Sequence, residues 1–232
     1  MGINLNEFKI QTDGKPEKLQ DYSIHNVESQ VSVIFRNQKE FLIERISHYS
    51  FIVGCIAWLT DLDIIRALSK VDKVAIVLQK EDFLRPDIQI TNNWKRRLQE
   101  AYSSLKESDD RFAWPGLMGQ LSVCCDPTIQ PIRCVGNHNK DKNPAFPRMH
   151  NKFLVFGDYN ERESEIEIKL NEVWTGSYNF TTNAINSFEN VVVIKSSEIA
   201  EAYYNEFCQI FALSEPLDWE SDWCEPEFRI GT

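Results

Sequence analysis

From position 31 onward, short and nearly unbroken apolar runs alternate with stretches whose apolar residues recur every three or four positions. Residues 31–35, 51–59 and 73–78 are runs of the first kind, and 51–59 is continuous enough to predict a strand buried on both faces. Between them, Phe41, Leu42 and Ile46 share one face of a helix predicted over 38–47, with Asn37 at its N-cap. Ile64, Ile65 and Leu68 mark a second helix, capped by Asp61. Alternation with links this short predicts an α/β fold: a mixed β-sheet flanked by helices on both faces.

Farther along, 92–108 reads as an amphipathic helix with Trp94, Leu98 and Leu105 inward and Lys95, Arg96 and Arg97 exposed. Residues 109–148 are loop-rich around two short strands, 120–124 and 131–135. Strands over 149–156, 172–177 and 190–194 follow, then an amphipathic helix over 197–213. Three regions result: a polar extension over 1–30 lying on the main body, a folded domain over 31–212, and an acidic tail over 213–232. That tail holds six acidic residues and no basic one between 215 and 227. No internal repeat of this pattern is visible, so one catalytic motif set per chain is expected.

Composition narrows the classes. With 232 residues, 42% of them hydrophobic, the chain can bury a core without disulfides or a structural metal. A formal charge of -10 excludes a polycation that coats nucleic acid, though local basic patches remain open. The first residues lack a basic segment followed by an apolar one, and no window approaches the apolar length of a membrane span. A cytoplasmic protein without a membrane segment is the expectation. The six cysteines, at 55, 124, 125, 134, 208 and 224, form no CxxC pair and read as free thiols. No His, Cys, Asp or Glu spacing suggests metal ligands, so neither metal nor cofactor is expected.

His150 is the histidine with the most informative setting. Met149-His150-Asn151-Lys152-Phe153-Leu154-Val155-Phe156 reads as a strand, on which His150 and Lys152 share a face with Cα atoms about 6.7 Å apart. That span suits a phosphate, with imidazole near phosphorus and ammonium against a non-bridging oxygen. Two polar residues on a wet strand face would look the same. The neighbourhood adds weight. Downstream come Gly176-Ser177-Tyr178-Asn179, and then Glu189-Asn190 opening an apolar run.

This ordered series over 31–212 resembles the phospholipase D superfamily: HxK on a strand, then GSxN, then Glu-Asn before a last strand. The resemblance implies that His150 is a nucleophile forming a phosphohistidine. It implies that Lys152, Ser177 and Asn179 bind phosphate oxygens, and that Glu189 fixes the histidine tautomer. One position departs from the family pattern. The aspartate expected at 157 is Gly157, and Asp158, one residue later, falls on the other face by parity. Asp158 is therefore left outside the catalytic set. The segment 158–171 reads as a long acidic hairpin.

Single-motif chains of the superfamily resemble small nucleases that pair two chains. Arg133, Lys140, Lys142 and Arg148 lead into Lys152 against Asp141 alone, a basic approach suited to an anionic polymer. The leading expectation is a metal-independent nuclease, acting on DNA or RNA, whose site is shared by a homodimer. A phospholipid phosphodiesterase and a non-catalytic binding module of the same fold are the alternatives. The acidic tail is a candidate contact for a regulatory partner, or a solvated end.

Overall fold

Phe51–Ile56 (β4) is buried at every position, as an unbroken apolar run requires when helices cover both faces of a sheet. It lies near the middle of the structure, a computed structural model that describes residues 4–7, 9–12, 15–18, 21–24, 30–81, 93–106, 130–136, 148–162, 165–212 and 214–217. The other strands are β1 (Lys9–Thr12), β2 (Lys15–Lys18), β3 (Val31–Ile34), β5 (Lys73–Gln79), β6 (Ile132–Val135), β7 (Lys152–Arg162), β8 (Glu165–Gly176), β9 (Val191–Lys195) and β10 (Glu215–Pro216). Among the described residues, eight strands form one sheet in the order β10-β6-β5-β4-β7-β8-β9-β3, and β1 and β2 pair separately. β4, β5 and β6 are parallel neighbours, and the remaining pairings are antiparallel.

Helices cover both faces. On one lie α1 (Gln38–Ile46), α2 (Leu62–Leu68) and α3 (Asn93–Tyr102), which bury Leu42, Ile46, Ile64, Ile65, Leu68 and Leu98 against the sheet. On the other, after a short helix α4 (Thr182–Ile185), α5 (Ser197–Ala212) buries Ala200, Phe207, Cys208 and Phe211. The fold is the α/β arrangement expected from the alternation. Asp61 caps α2 through its carboxylate, accepting from the backbone of Asp63 and Ile64. Asn37 occupies the cap position of α1 in a left-handed conformation (φ 55°) and makes no side-chain cap bond. Cys55, Cys134 and Cys208 are buried free thiols.

Several expectations need correcting. The strand read over 149–156 begins at Lys152, so His150 precedes it rather than lying on it. The acidic hairpin over 158–171 is itself sheet: β7 and β8 pair as far as Arg162 and Glu165. Ile166, Ile168 and Leu170 alternate with polar residues, which is a strand signature masked by the acidic side chains. In α3 the inward row is Lys95, Leu98 and Tyr102, not Trp94. The Tyr102 hydroxyl donates to the Leu59 carbonyl at 2.5 Å and so sets the helix phase, with Trp94 turned outward and 43% exposed. Finally, the region read as tail starts later. Ser214 and Leu217 are buried, and β10 adds to the sheet edge beside β6. The strand read over 120–124 lies outside the described residues.

Position 157 has a steric explanation. A Cβ on Gly157 would come within 2.6 Å of the Lys169 carbonyl oxygen, so no aspartate fits there. The pairing shifts register at the same point, leaving Asn171 as a bulge. The Asp158 carboxylate accepts from the Asn171 side chain at 2.7 Å and serves that bulge.

Candidate active site

The sheet brings the motif residues to one rim. β4 and β8 end there, while β7 and β9 begin there, because their pairings are antiparallel. Just beyond the strand ends, two connecting segments cross. Phe180 donates its backbone N–H to the Trp58 carbonyl at 3.0 Å, and its own carbonyl accepts from Thr60 and Asp61. This crossing fixes Asn179 and Trp58 side by side ahead of the sheet. Gly176 is required by its neighbours, since a Cβ there would lie 2.1 Å from the Asn190 carbonyl oxygen.

His150 is exposed, and its backbone is held on both sides. The Met149 N–H donates to the Gln79 side chain at 2.7 Å, and the Asn151 carbonyl accepts from Ala57 at 3.0 Å. The Trp58 ring meets the imidazole edge-on, with centroids 5.8 Å apart. The Lys152 ammonium lies 3.2 Å from both ring nitrogens and donates to the His150 carbonyl at 3.0 Å. An ammonium has no lone pair, so a ring nitrogen facing it must be the acceptor. Burial, then the charges of Lys152 and Arg148, hold the imidazole below the usual histidine range. Burial lowers Lys152 as well, against an opposing pull from Glu189. The result is a neutral imidazole beside a cation.

Ser177 and Glu189 form a second contact on the same rim. The Ser177 hydroxyl donates to the Glu189 carboxylate and accepts from the Asn190 N–H at 3.1 Å. A serine has one hydroxyl proton, and here it is committed to Glu189 rather than directed outward. Gln38 donates to the Glu189 carbonyl at 3.0 Å and fixes the backbone. Glu189 and Asn179 both line a cavity of about 410 Å³ with Trp58 and Trp94. The Asn179 Oδ1 is buried without a hydrogen-bond partner.

The basic approach is only partly assembled. Arg148 is exposed next to His150. Arg133 is buried instead, donating to the Ser214 hydroxyl at 2.7 Å and to the Ser214 carbonyl at 2.9 Å, with its guanidinium over the Phe211 ring. It anchors β10 and is withdrawn from any substrate path. Lys140 and Lys142 lie outside the described residues, as does a second HxK triplet, His138-Asn139-Lys140. Sequence reasoning missed Trp58, Gln38 and Gln79. Trp58 lies just past a strand's C-terminal end, next to last in an apolar run, and each glutamine is a polar residue at a buried element end; those were the available signals.

Among the described residues, no cluster of three His, Cys, Asp or Glu side chains could hold a metal ion, and no helix is long and apolar enough to cross a membrane. Comparison with known proteins gives the lineage. The chain is 30% identical over 237 residues to Uncharacterized protein L381 of Acanthamoeba polyphaga mimivirus, covering 94% of this chain and 75% of that protein. Residues 122–211 match a family described as "Cardiolipin synthase, PLD-like domain". The chain belongs to the phospholipase D superfamily. Among solved structures, the phospholipase D family member Nuc from Salmonella typhimurium is 18% identical with a TM-score of 0.46, over 80% of this chain and 95% of that one. NucT from Helicobacter pylori is 15% identical with a TM-score of 0.43, over 78% and 96%. Within this member of the phospholipase D superfamily, HxK, GSxN and Glu-Asn lie on the rim just described.

Proposed function

We propose that the protein is a metal-independent phosphodiesterase that cleaves nucleic acid through a phosphohistidine at a site shared by two chains. The observation that carries this reading is the Lys152 ammonium 3.2 Å from both ring nitrogens of the exposed His150. A phosphodiester entering between them meets a nucleophile and the cation for its non-bridging oxygen. One His150 nitrogen attacks phosphorus, forming the P–N bond as the P–O bond to the leaving strand breaks. A second histidine protonates that oxygen. Water then attacks phosphorus, the P–N bond breaks, and the second histidine takes the water's proton. Lys152 and Asn179 stabilise the pentavalent charge, and Glu189, held by Ser177, is a carboxylate for orienting an imidazole.

The second histidine is assigned to the partner's copy of His150, because a two-fold axis through an exposed rim brings two identical residues together. Exposed Arg148 beside His150 supports an anionic substrate. The test is incubation of purified protein in EDTA with plasmid DNA, RNA and phosphatidylglycerol vesicles. Cleavage of a nucleic acid with EDTA present is expected. Activity that requires added Mg²⁺ or Mn²⁺, or that acts on the lipid alone, would overturn the reading.

A further inference from the structure

The cavity beside His150 shares Asn179 and Glu189 with the chemistry just described and extends well beyond them. Its volume is about 410 Å³, and Trp58 and Trp94 line it together with Asn179, Thr181, Asn183 and Ser187. Trp58 joins it to the reacting centre, because its ring also touches His150. Among the described residues, the lining contains one carboxylate, Glu189, and no lysine, arginine or histidine. A phosphate would therefore be repelled. An acyl chain would strand the amides and hydroxyls without partners, at a desolvation cost.

A flat, neutral group with polar edges meets all of these conditions. We propose that this cavity is a nucleobase subsite, taking one unstacked base next to the scissile phosphate, so that the substrate is single-stranded or locally unpaired nucleic acid. The inference rests on the nucleic-acid reading above. Indole faces provide stacking surface for any base, and amides and hydroxyls provide donors and acceptors for its edge. A base inside a duplex cannot reach such a pocket without leaving its stack, which disfavours intact duplex. The surrounding surface continues the pattern: Phe188, adjacent to Glu189, is 54% exposed, and the Arg36 guanidinium lies 5.5 Å from its ring centroid. Alternating aromatic and cationic groups suit a single strand running along the rim.

Binding tests this without requiring turnover. In the uncleaving His150→Ala protein, intrinsic tryptophan fluorescence is titrated with oligo(dT), the same strand with one abasic position, a matched duplex and phosphatidylglycerol vesicles. Oligo(dT) is expected to quench and to bind more tightly than the duplex. Adding Trp94→Ala should weaken single-strand binding about tenfold and erase the distinction between intact and abasic strands, as loss of one stacked base predicts. Trp94→Phe, which keeps a stacking face, should stay within about threefold. Equal affinity for strand and duplex, unaffected by Trp94→Ala, would overturn the base subsite while leaving the nuclease reading intact. Binding to vesicles but to no nucleic acid would overturn both.

Discussion

At the scale of single residues, the site depends on a neutral imidazole as nucleophile, while the other copy of His150 carries the proton for the leaving oxygen. The imidazole's affinity for a proton is held below the ordinary value of 6.5, first by burial and then by Lys152 and Arg148. Lowering a histidine's pKa extends its neutral, nucleophilic form to more acidic pH. The acid limb of the rate of phosphohistidine formation, followed in single-turnover mixing, should therefore have its midpoint below 6.5. Arg148→Ala removes one of two repelling charges, so the midpoint of that fall should move up toward 6.5. A midpoint unchanged or lowered by Arg148→Ala would contradict the assigned cause. Residue chemistry was the most legible layer of the sequence, since HxK, GSxN and Glu-Asn are local strings. Their partners were less legible. Glu189 was expected behind His150, yet its carboxylate accepts from Ser177. Contacts between loops that cross in space leave no trace in spacing. Arg133 illustrates the converse: five nearby cations suggested an approach path, and one of them is buried against Ser214.

At the scale of elements, apolar runs and helical faces located β4, β5, α1, α2 and α5, because each buries a regular side of itself. The errors fell where side-chain chemistry hid the period. The β7–β8 ribbon alternates correctly but is crowded with acids, and α3 turns Lys95 inward along its methylene stem. The start of the tail was misread for a related reason, because a two-residue strand has no period to detect. Its role gives a prediction. A chain ending at Leu217 keeps β10, the buried Leu217 and both Ser214 bonds to Arg133. A chain ending at Ala212 loses β10, Leu217 and both Ser214 bonds to the buried Arg133 guanidinium. The shorter protein should be less stable by about 3 kcal/mol in urea unfolding, from lost leucine burial and charged hydrogen bonds. The chain ending at Leu217 should match the full-length protein. Equal stability of both truncations would mean β10 is a passive end.

At the scale of the whole molecule, the net charge of -10 conflicts with a nucleic-acid substrate unless charge is segregated. The fold provides part of that segregation, with Lys152 and Arg148 on the rim. β10 runs antiparallel to β6, so at Leu217 the chain is heading away from the end of β6 that lies beside His150. Pairing two rims about a two-fold axis would join their cations around one substrate strand. That pairing is the central claim, and mixing chains tests it most directly. Equal amounts of wild type and His150→Ala are unfolded, refolded together and assayed per total dimer. If one composite site needs both copies of His150, only about a quarter of randomly assorted dimers keep them, and activity should fall to roughly that fraction of the wild type. Activity near one half would contradict the account, because each chain would then work alone, with His138 of the upstream HxK triplet as the second histidine.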